Sequence, residues 1–168
     1  MTSVTPLNRR SCLLGSLALA ATLGACSTQR EPKTSGIKFL IEADSLVNPN
    51  EKGEASPVVV RVYELKSVTA FMQASFFDLL DNDTQKLGAD LVAKREFELK
   101  PGAREEFERE TPIETKSIGV VAWFRNLDQA DWRKTFDVDS ERNNDIVVKV
   151  TAQSISIDTD SSRKWRMF

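Results

Sequence analysis

Two segments in the first half of the chain have the residue pattern of a β-strand. The first, residues 37–43, places Ile37, Phe39, Ile41 and Ala43 on one face with the strand period of two. The second, residues 57–65, is rich in the β-branched and aromatic side chains that favour strands. Residues 45–56, between them, contain Asn48-Pro49-Asn50 and Gly53. Because Pro and Gly interrupt strands, the pattern predicts two strands joined by a long loop.

The hydrophobic period changes after residue 68. Met72, Phe76, Leu79 and Leu80 recur at helical spacing, which predicts one amphipathic helix over residues 69–81. We expect this apolar face to pack against the core rather than to bind a ligand, since a stripe at helical spacing is usually core.

The second half of the chain alternates again and predicts further short strands. They cover residues 94–99, 118–124, 132–138, 146–150 and 155–157. Residues 118–124 are apolar on both faces, as in a central, covered strand. Lys100-Pro101-Gly102-Ala103 suits a type II turn, and the charged run 104–110 is compatible with either an exposed helix or an edge strand. About seven strands with one helix predict a mainly-β sandwich over residues 37–158, followed by a tail of residues 159–168.

The first 25 residues have the composition of a secretory signal peptide. Arg9-Arg10 precedes an apolar or small-residue run, residues 12–25, that is shorter than the roughly 20 residues of a membrane-spanning helix. Leu23-Gly24-Ala25-Cys26 matches the lipobox at which bacterial lipoproteins are acylated on cysteine and cleaved before it. We therefore expect cleavage between Ala25 and Cys26, a covalent lipid on Cys26, and a polar tether over residues 26–36.

Acylation of Cys26 would attach the mature chain to a membrane, since each buried methylene contributes about 0.8 kcal/mol. Residue 27 is Ser, whereas Asp at this place retains many lipoproteins at the inner membrane. We expect the periplasmic face of the outer membrane. Arg9-Arg10 leaves export by the twin-arginine route open as an alternative.

Composition excludes several classes of function. The chain has 23 basic and 25 acidic residues, and without Arg9 and Arg10 the mature chain has 21 and 25, a balance that argues against nucleic-acid binding. It has no histidine, and of its two cysteines Cys12 is discarded and Cys26 acylated. We therefore expect no disulfide, no Ser-His-Asp site, no metal and no cofactor beyond the lipid on Cys26.

Residues 161–168, Ser-Ser-Arg-Lys-Trp-Arg-Met-Phe, are basic and aromatic. Such a segment can contact a partner or a lipid headgroup. Packing of Trp165 and Phe168 on the surface of the domain is an equal alternative, and the sequence leaves both open.

Several segments, taken in order, resemble the TssJ (SciN/VasD) lipoproteins of the bacterial type VI secretion system. They are the lipobox at Cys26, the loop from Asn48-Pro49 to Gly53, residues 57–67, 71–80 and 87–91, Pro101-Gly102, and residues 119–126 and 130–133. The most specific are PVVVRVYELKS and GVVAWFR with the DWR that follows. The resemblance covers residues 23–150, with Asn126 where Asp is more usual.

The resemblance implies a transthyretin-like β-sandwich with one added helix. It also implies an outer-membrane lipoprotein of the type VI membrane complex, and not an enzyme, whose partner is the periplasmic C-terminal domain of the inner-membrane protein TssM. In that family much of the contact comes from the loop between the first two strands. Here the expected partner-binding residues are Val47, Asn48 and Pro49 for packing, and Asn50, Glu51, Lys52, Gly53 and Glu54 around them. A lipoprotein that binds a small ligand or glycan and a two-carboxylate hydrolase are the alternatives.

Overall fold

Residues 34–140 and 142–159, which the computed structural model describes, form eight strands and three short helices. The strands are β1 (Thr34–Ala43), β2 (Val58–Leu65), β3 (Leu91–Leu99), β4 (Arg104–Pro112), β5 (Ser117–Ala122), β6 (Arg133–Asp137), β7 (Asn144–Val150) and β8 (Ile155–Thr159). The helices are α1 (Thr69–Gln73), α2 (Phe76–Asp81) and α3 (Asp83–Leu87). Within these residues, none of the helices has the length and apolar content needed to cross a bilayer.

The strands form two four-stranded sheets. The first sheet has the order β4-β1-β7-β8 and the second the order β3-β2-β5-β6. Neighbouring strands are antiparallel except β1 and β7, which are parallel. The inward side chains of both sheets form one hydrophobic core, in which Phe39, Ile41, Val60, Val120 and Val148 are at most 1% exposed. The mainly-β sandwich that the sequence predicts is confirmed.

Two segments without an apolar pattern, residues 34–36 and the charged run 104–110, form strand because their backbones pair with each other's strands. β1 begins at Thr34 rather than residue 37, because residues 34–36 pair with residues 110–112 of β4. The last three residues of the predicted tether are therefore strand. The charged run after the Pro101-Gly102 turn is the edge strand β4 rather than a helix. The turn itself is type II as predicted, with Gly102 at φ 74° and the Ala103 N–H donating to the Lys100 carbonyl at 2.9 Å.

The single helix predicted over residues 69–81 is wrong, because the segment breaks at Ser75. The Ser75 hydroxyl accepts a hydrogen bond from the Asp78 N–H at 3.1 Å, and the Asp78 carboxylate accepts one from the Ser75 N–H at 2.9 Å. This reciprocal capping box begins a new helix and changes which face is buried. Phe71 is fully buried, whereas Met72, predicted to be core, is 48% exposed.

Residues 66–90, which we call the helical cover, pack on the outer face of the second sheet. Phe71 and Leu79 of the cover meet the outward side chains Tyr63, Leu65 and Val121, and all five are fully buried. β5 is therefore covered on both faces and lies between β2 and β6. The central strand that the sequence predicts at this position is confirmed.

A charged network links the helical cover to the second sheet. Asp83, only 5% exposed, accepts hydrogen bonds from Arg61 and Lys94, each at 2.7 Å, and from the Tyr63 hydroxyl at 3.1 Å. Burial disfavours the ionised carboxylate, but hydrogen bonds from Lys94 and Thr84 and the charge of Arg61 outweigh it and lower the pKa of Asp83. The stability that this carboxylate contributes is present at neutral pH and is lost as the pH falls through that lowered pKa.

Gly119 in β5 lets the Phe71 ring lie directly on the second sheet. A Cβ at residue 119 would stand 2.7 Å from Phe71 Cζ, so a larger residue must displace the ring. We expect Gly119→Ala to lower the free energy of unfolding in urea by about 1–3 kcal/mol. The cost of Gly119→Ala should be smaller in a chain that already carries Phe71→Leu. An equal cost of Gly119→Ala with and without Phe71→Leu would contradict this contact.

Candidate functional site

Strand direction distinguishes the two ends of the sandwich. The end at which β1 finishes, here called the loop end, carries the connections of residues 44–57, 100–103, 123–132 and 151–154. The opposite end, the tether end, carries the start of β1 at Thr34 and the turns of residues 113–116 and 138–143. Because a strand rises about 3.3 Å per residue, the ten residues of β1 separate the ends by about 30 Å.

The expected lipid site lies outside the described residues, but its distance from them is bounded. Cys26 and the cleavage position after Ala25 precede the first described residue, Thr34. The eight residue steps from Cys26 to Thr34 reach at most about 26 Å when extended. A lipid on Cys26 would therefore hold the tether end close to a membrane.

Asn48 fixes the base of the loop between β1 and β2, residues 44–57. Its side-chain amide donates to the Pro57 carbonyl at 2.7 Å, and its side-chain oxygen accepts from the Arg125 N–H at 2.8 Å. The Asn48 N–H donates to the Ala152 carbonyl at 3.2 Å. Its φ of 49° is in the left-handed region, which Asn tolerates better than most residues. Asn48 thus joins the loop to β2, to the segment after β5 and to the β7–β8 turn.

The structure corrects the expected role of Val47 and Asn48. Their side chains are 0% and 4% exposed, and Val47 belongs to the main hydrophobic core. The Val47 carbonyl also accepts a hydrogen bond from the Ser56 N–H at 3.1 Å. These two residues hold the loop from inside and offer no side-chain surface to a partner.

Asn50 closes the tip of the loop, residues 50–54. Its side-chain oxygen accepts hydrogen bonds from the Lys52 N–H at 2.9 Å and the Glu54 N–H at 3.0 Å, and its amide donates to the Glu54 carboxylate at 2.9 Å. Gly53 has φ 80° and donates its N–H to the Asn50 carbonyl at 2.9 Å; glycine adopts this conformation without strain. The tip is therefore a turn closed by its own hydrogen bonds, so its shape does not depend on a partner.

The solvent-facing surface of the loop combines one apolar side chain with charges. Leu46 is 62% exposed, and its N–H is held by the Asp44 carboxylate at 2.9 Å. Glu51 and Lys52 extend into solvent at the tip, while Pro49 is half-buried beside them. Leu46 is not identifiable from the sequence as the exposed residue, since its neighbour Val47 has the same apolar character and nothing local shows which of the two faces inward.

An open groove of about 920 Å³ lies at the loop end. Its lining is polar and charged apart from one proline, and consists of Pro49, Asn50, Glu51, Lys52, Arg125, Asn126 and Gln153. Three separate connections build it, and the hydrogen bond from the Asp131 N–H to the Gln153 carbonyl at 2.9 Å joins two of them. The side chains that enclose small ligands are mostly apolar, so this open polar groove is better suited to a protein surface.

The buried carboxylates of the described residues are engaged in structural contacts. Asp83 is bound in the charged network of the helical cover. Glu64 accepts a hydrogen bond from the Thr111 hydroxyl and forms an ion pair with Arg109 at 3.1 Å. Within residues 34–140 and 142–159, no three or more acidic, histidine or cysteine side chains gather as metal ligands would. The described residues give no positive support for a two-carboxylate hydrolase.

We expect Asn48→Ala to lower the free energy of unfolding by about 2–3 kcal/mol. The substitution leaves the Arg125 N–H and the Pro57 carbonyl without their partner and places Ala in a left-handed conformation. The matched control is Asn50→Ala, which loses only exposed bonds within the tip and should cost less than about 1 kcal/mol. Equal costs in a denaturant titration of both variants would contradict the role assigned to Asn48.

A family model matches most of the described residues. The model is that of the type VI secretion lipoproteins (VasD, EvfM, TssJ), and it matches residues 35–153. The match begins in β1 and runs to the β7–β8 turn, so it includes the whole loop of residues 44–57. A search of curated protein sequences found no match.

Solved structures share the fold over nearly their whole length. The T6SS lipoprotein TssJ1 from Pseudomonas aeruginosa is 37% identical, with 79% of this chain and 100% of that chain covered and a TM-score of 0.75. Serratia marcescens Lip, a membrane-bound component of the type VI secretion system, is 24% identical (74% and 96% covered, TM-score 0.69) and shows the fold alone. A chain in a structure described as the T6SS protein TssM C-terminal domain (869–1107) from EAEC is 27% identical (73% and 99% covered, TM-score 0.64).

Proposed function

We propose a function from one premise: this chain belongs to the family of type VI secretion lipoproteins that includes TssJ. Membership makes it a lipoprotein component of that secretion system with the family's β-sandwich. The proposal adds that Cys26 carries the acyl chains and inserts them in the outer membrane from the periplasmic side. It also adds that the loop end binds the periplasmic C-terminal domain of an inner-membrane protein of the TssM type.

The observation that carries the proposal is that the loop end and the tether end lie at opposite ends of β1. With an extended tether of about 26 Å and a strand of about 30 Å, the groove would stand up to about 55 Å from the acylated bilayer. A protein that extends from the inner membrane would meet the loop end first. The lipid and the recognition surface are therefore separated by the length of the domain.

The construction of the loop end supports recognition of a protein surface. Val47 and Asn48 fix the base of the loop, and Asn50 closes its tip, so little conformational entropy is lost on binding. Leu46 offers an exposed apolar contact, and the same loop exposes the charged side chains of Asp44, Glu51 and Lys52; protein interfaces combine apolar and polar contacts in this way. The likeness to a chain in a structure described as the TssM C-terminal domain supports this choice of partner.

The proposal is tested by capture from the cell envelope. The mature chain without its lipid, residues 27–168, is immobilised through a tag and incubated with detergent-solubilised envelope, and bound proteins are identified by mass spectrometry. We expect the TssM-type protein to be retained in proportion to the bait and to be displaced by excess untagged chain. Retention of envelope glycans or unrelated proteins without the TssM-type protein would overturn the proposal.

A further inference from the structure

The tether and the loop of residues 44–57 join opposite ends of the same strand. The covalent chain from Cys26 enters the described structure at Thr34, the first residue of β1. The loop begins directly after Ala43, the last residue of β1. With acyl chains of Cys26 in one membrane and the loop end bound to a protein of the other, tension between the two membranes enters and leaves the domain through β1.

A strand that is pulled at both of its ends has almost no length to gain. A β-strand rises about 3.3 Å per residue and a fully extended chain at most about 3.6 Å, so the nine steps of β1 could lengthen by only about 3 Å. Tension lowers the stability of a fold by the product of the tension and the length gained on unfolding. Tension along β1 therefore does almost no work toward unfolding the sandwich.

β1 is also held by neighbouring strands on both sides. Nine of its residues pair with β4, and seven, residues 37–43, pair with β7. The hydrogen bonds of these pairs run between the strands, so a pull along β1 loads them together in shear rather than one after another. Gln153 of the groove lies in the turn after β7, and a pull on that turn reaches β1 through the β1–β7 pairs.

The base of the loop passes tension from the tip to β1. Val47 is 0% exposed in the main hydrophobic core. The Asn48 side chain donates to the Pro57 carbonyl at 2.7 Å and accepts from the Arg125 N–H at 2.8 Å. A pull on residues 50–54 therefore meets these two fixed residues first and continues along the backbone to Ala43.

We infer that β1 is a load-bearing strand, which transmits tension between the lipid anchor and the partner while the sandwich around it stays folded. This role rests on the proposed function for its two points of attachment. The same domain held at a residue much farther along the chain would release a long segment on unfolding, and tension would then destabilise it.

The test applies tension to two points of the purified chain, residues 26–168, made without the signal peptide so that Cys26 keeps a free thiol. The second thiol is supplied by Leu46→Cys in one chain and by Lys100→Cys in the other. Both side chains are exposed at the loop end. A DNA spring joined to the two thiols becomes taut when its complementary strand is added, and tryptophan fluorescence follows unfolding in urea.

The two chains are pulled between the same two ends of the sandwich and differ in the length that unfolding releases. From Thr34 the gain is at most about 14 Å to residue 46 and about 200 Å to residue 100. Residues 26–33 carry the same tension before and after unfolding in both chains, so they do not affect the comparison.

We expect the taut spring to lower the urea midpoint of the Lys100→Cys chain. The midpoint of the Leu46→Cys chain should shift by less than about a tenth of that amount, in proportion to the lengths released. A larger fall in the Leu46→Cys chain, or midpoints unchanged by tension in both chains, would overturn the inference. Midpoints with the relaxed spring show that each variant folds. The assay contains neither acyl chains nor the partner, so its failure leaves the proposed function standing.

Discussion

A chain with Cys26→Ser, exported behind a signal peptide that is cleaved without acylation, is expected to lose all salt-resistant membrane association and to keep its partner binding in solution. The thiol of Cys26 is the proposed attachment point of the lipid, and two or more acyl chains at about 0.8 kcal/mol per methylene make attachment effectively permanent. Membranes washed in high salt, with the intact mass of the mature chain, provide the measurement.

The matched control for this experiment is Cys12→Ser. Cys12 lies in the segment that the lipobox predicts to be removed, so its substitution should change neither the acyl mass nor the membrane association. Wild-type protein that begins at a residue other than Cys26, or that carries no acyl mass, would contradict the anchor. So would a Cys26→Ser chain that remains in the washed membranes.

The second large effect is expected at the loop end. Leu46→Ser combined with Glu51→Lys and Lys52→Glu should weaken binding of the TssM-type periplasmic domain at least about 100-fold, since an exposed apolar contact and the local charge pattern are lost together. All three side chains face solvent, so the urea midpoint should stay close to that of the wild type. Titration calorimetry with the purified domain measures the affinity.

The control for the loop-end variant makes similar changes elsewhere. Phe77, an apolar side chain that is 64% exposed, and the exposed Asp81 both lie on α2. Phe77→Ser combined with Asp81→Lys should leave the affinity unchanged. An equal loss in both variants would contradict the assignment to the loop. Deletion of the whole loop, residues 45–56, is a poorer experiment, because it also removes Val47 from the core and the hydrogen bonds of Asn48.

The sandwich could be predicted because its strands carry their pattern locally. The alternation in residues 37–43, the β-branched and aromatic content of residues 57–65 and the Pro101-Gly102 turn each depend on neighbours in sequence, and the structure confirms the elements that they predict. The two apolar faces of residues 118–124 further indicated a layer outside the second sheet, which the helical cover supplies. The two most specific segments of the family resemblance, residues 57–67 and 119–125, overlap strands β2 and β5.

Two errors arose where distant segments decide the structure, and a third where one local signal was outweighed by another. Residues 34–36 have no apolar pattern and are strand only because β4 pairs with them. The break at Ser75 had a local signal, Ser75 followed three residues later by Asp78, which helical periodicity outweighed in the prediction. At the loop, Leu46 and Val47 are indistinguishable in sequence, and Asn48 selects the inward one through bonds to Pro57 and Arg125, which lie far away along the chain.

Site-specific photocrosslinking in cells that assemble the secretion system tests most directly whether the loop end meets the partner while the tether end meets the membrane. A photoreactive residue replaces Lys52 at the loop end in one acylated chain and Ile113 at the tether end in another. The account predicts a covalent adduct with the TssM-type protein from residue 52 and none with it from residue 113. An adduct with that protein from residue 113, with none from residue 52, would contradict the account.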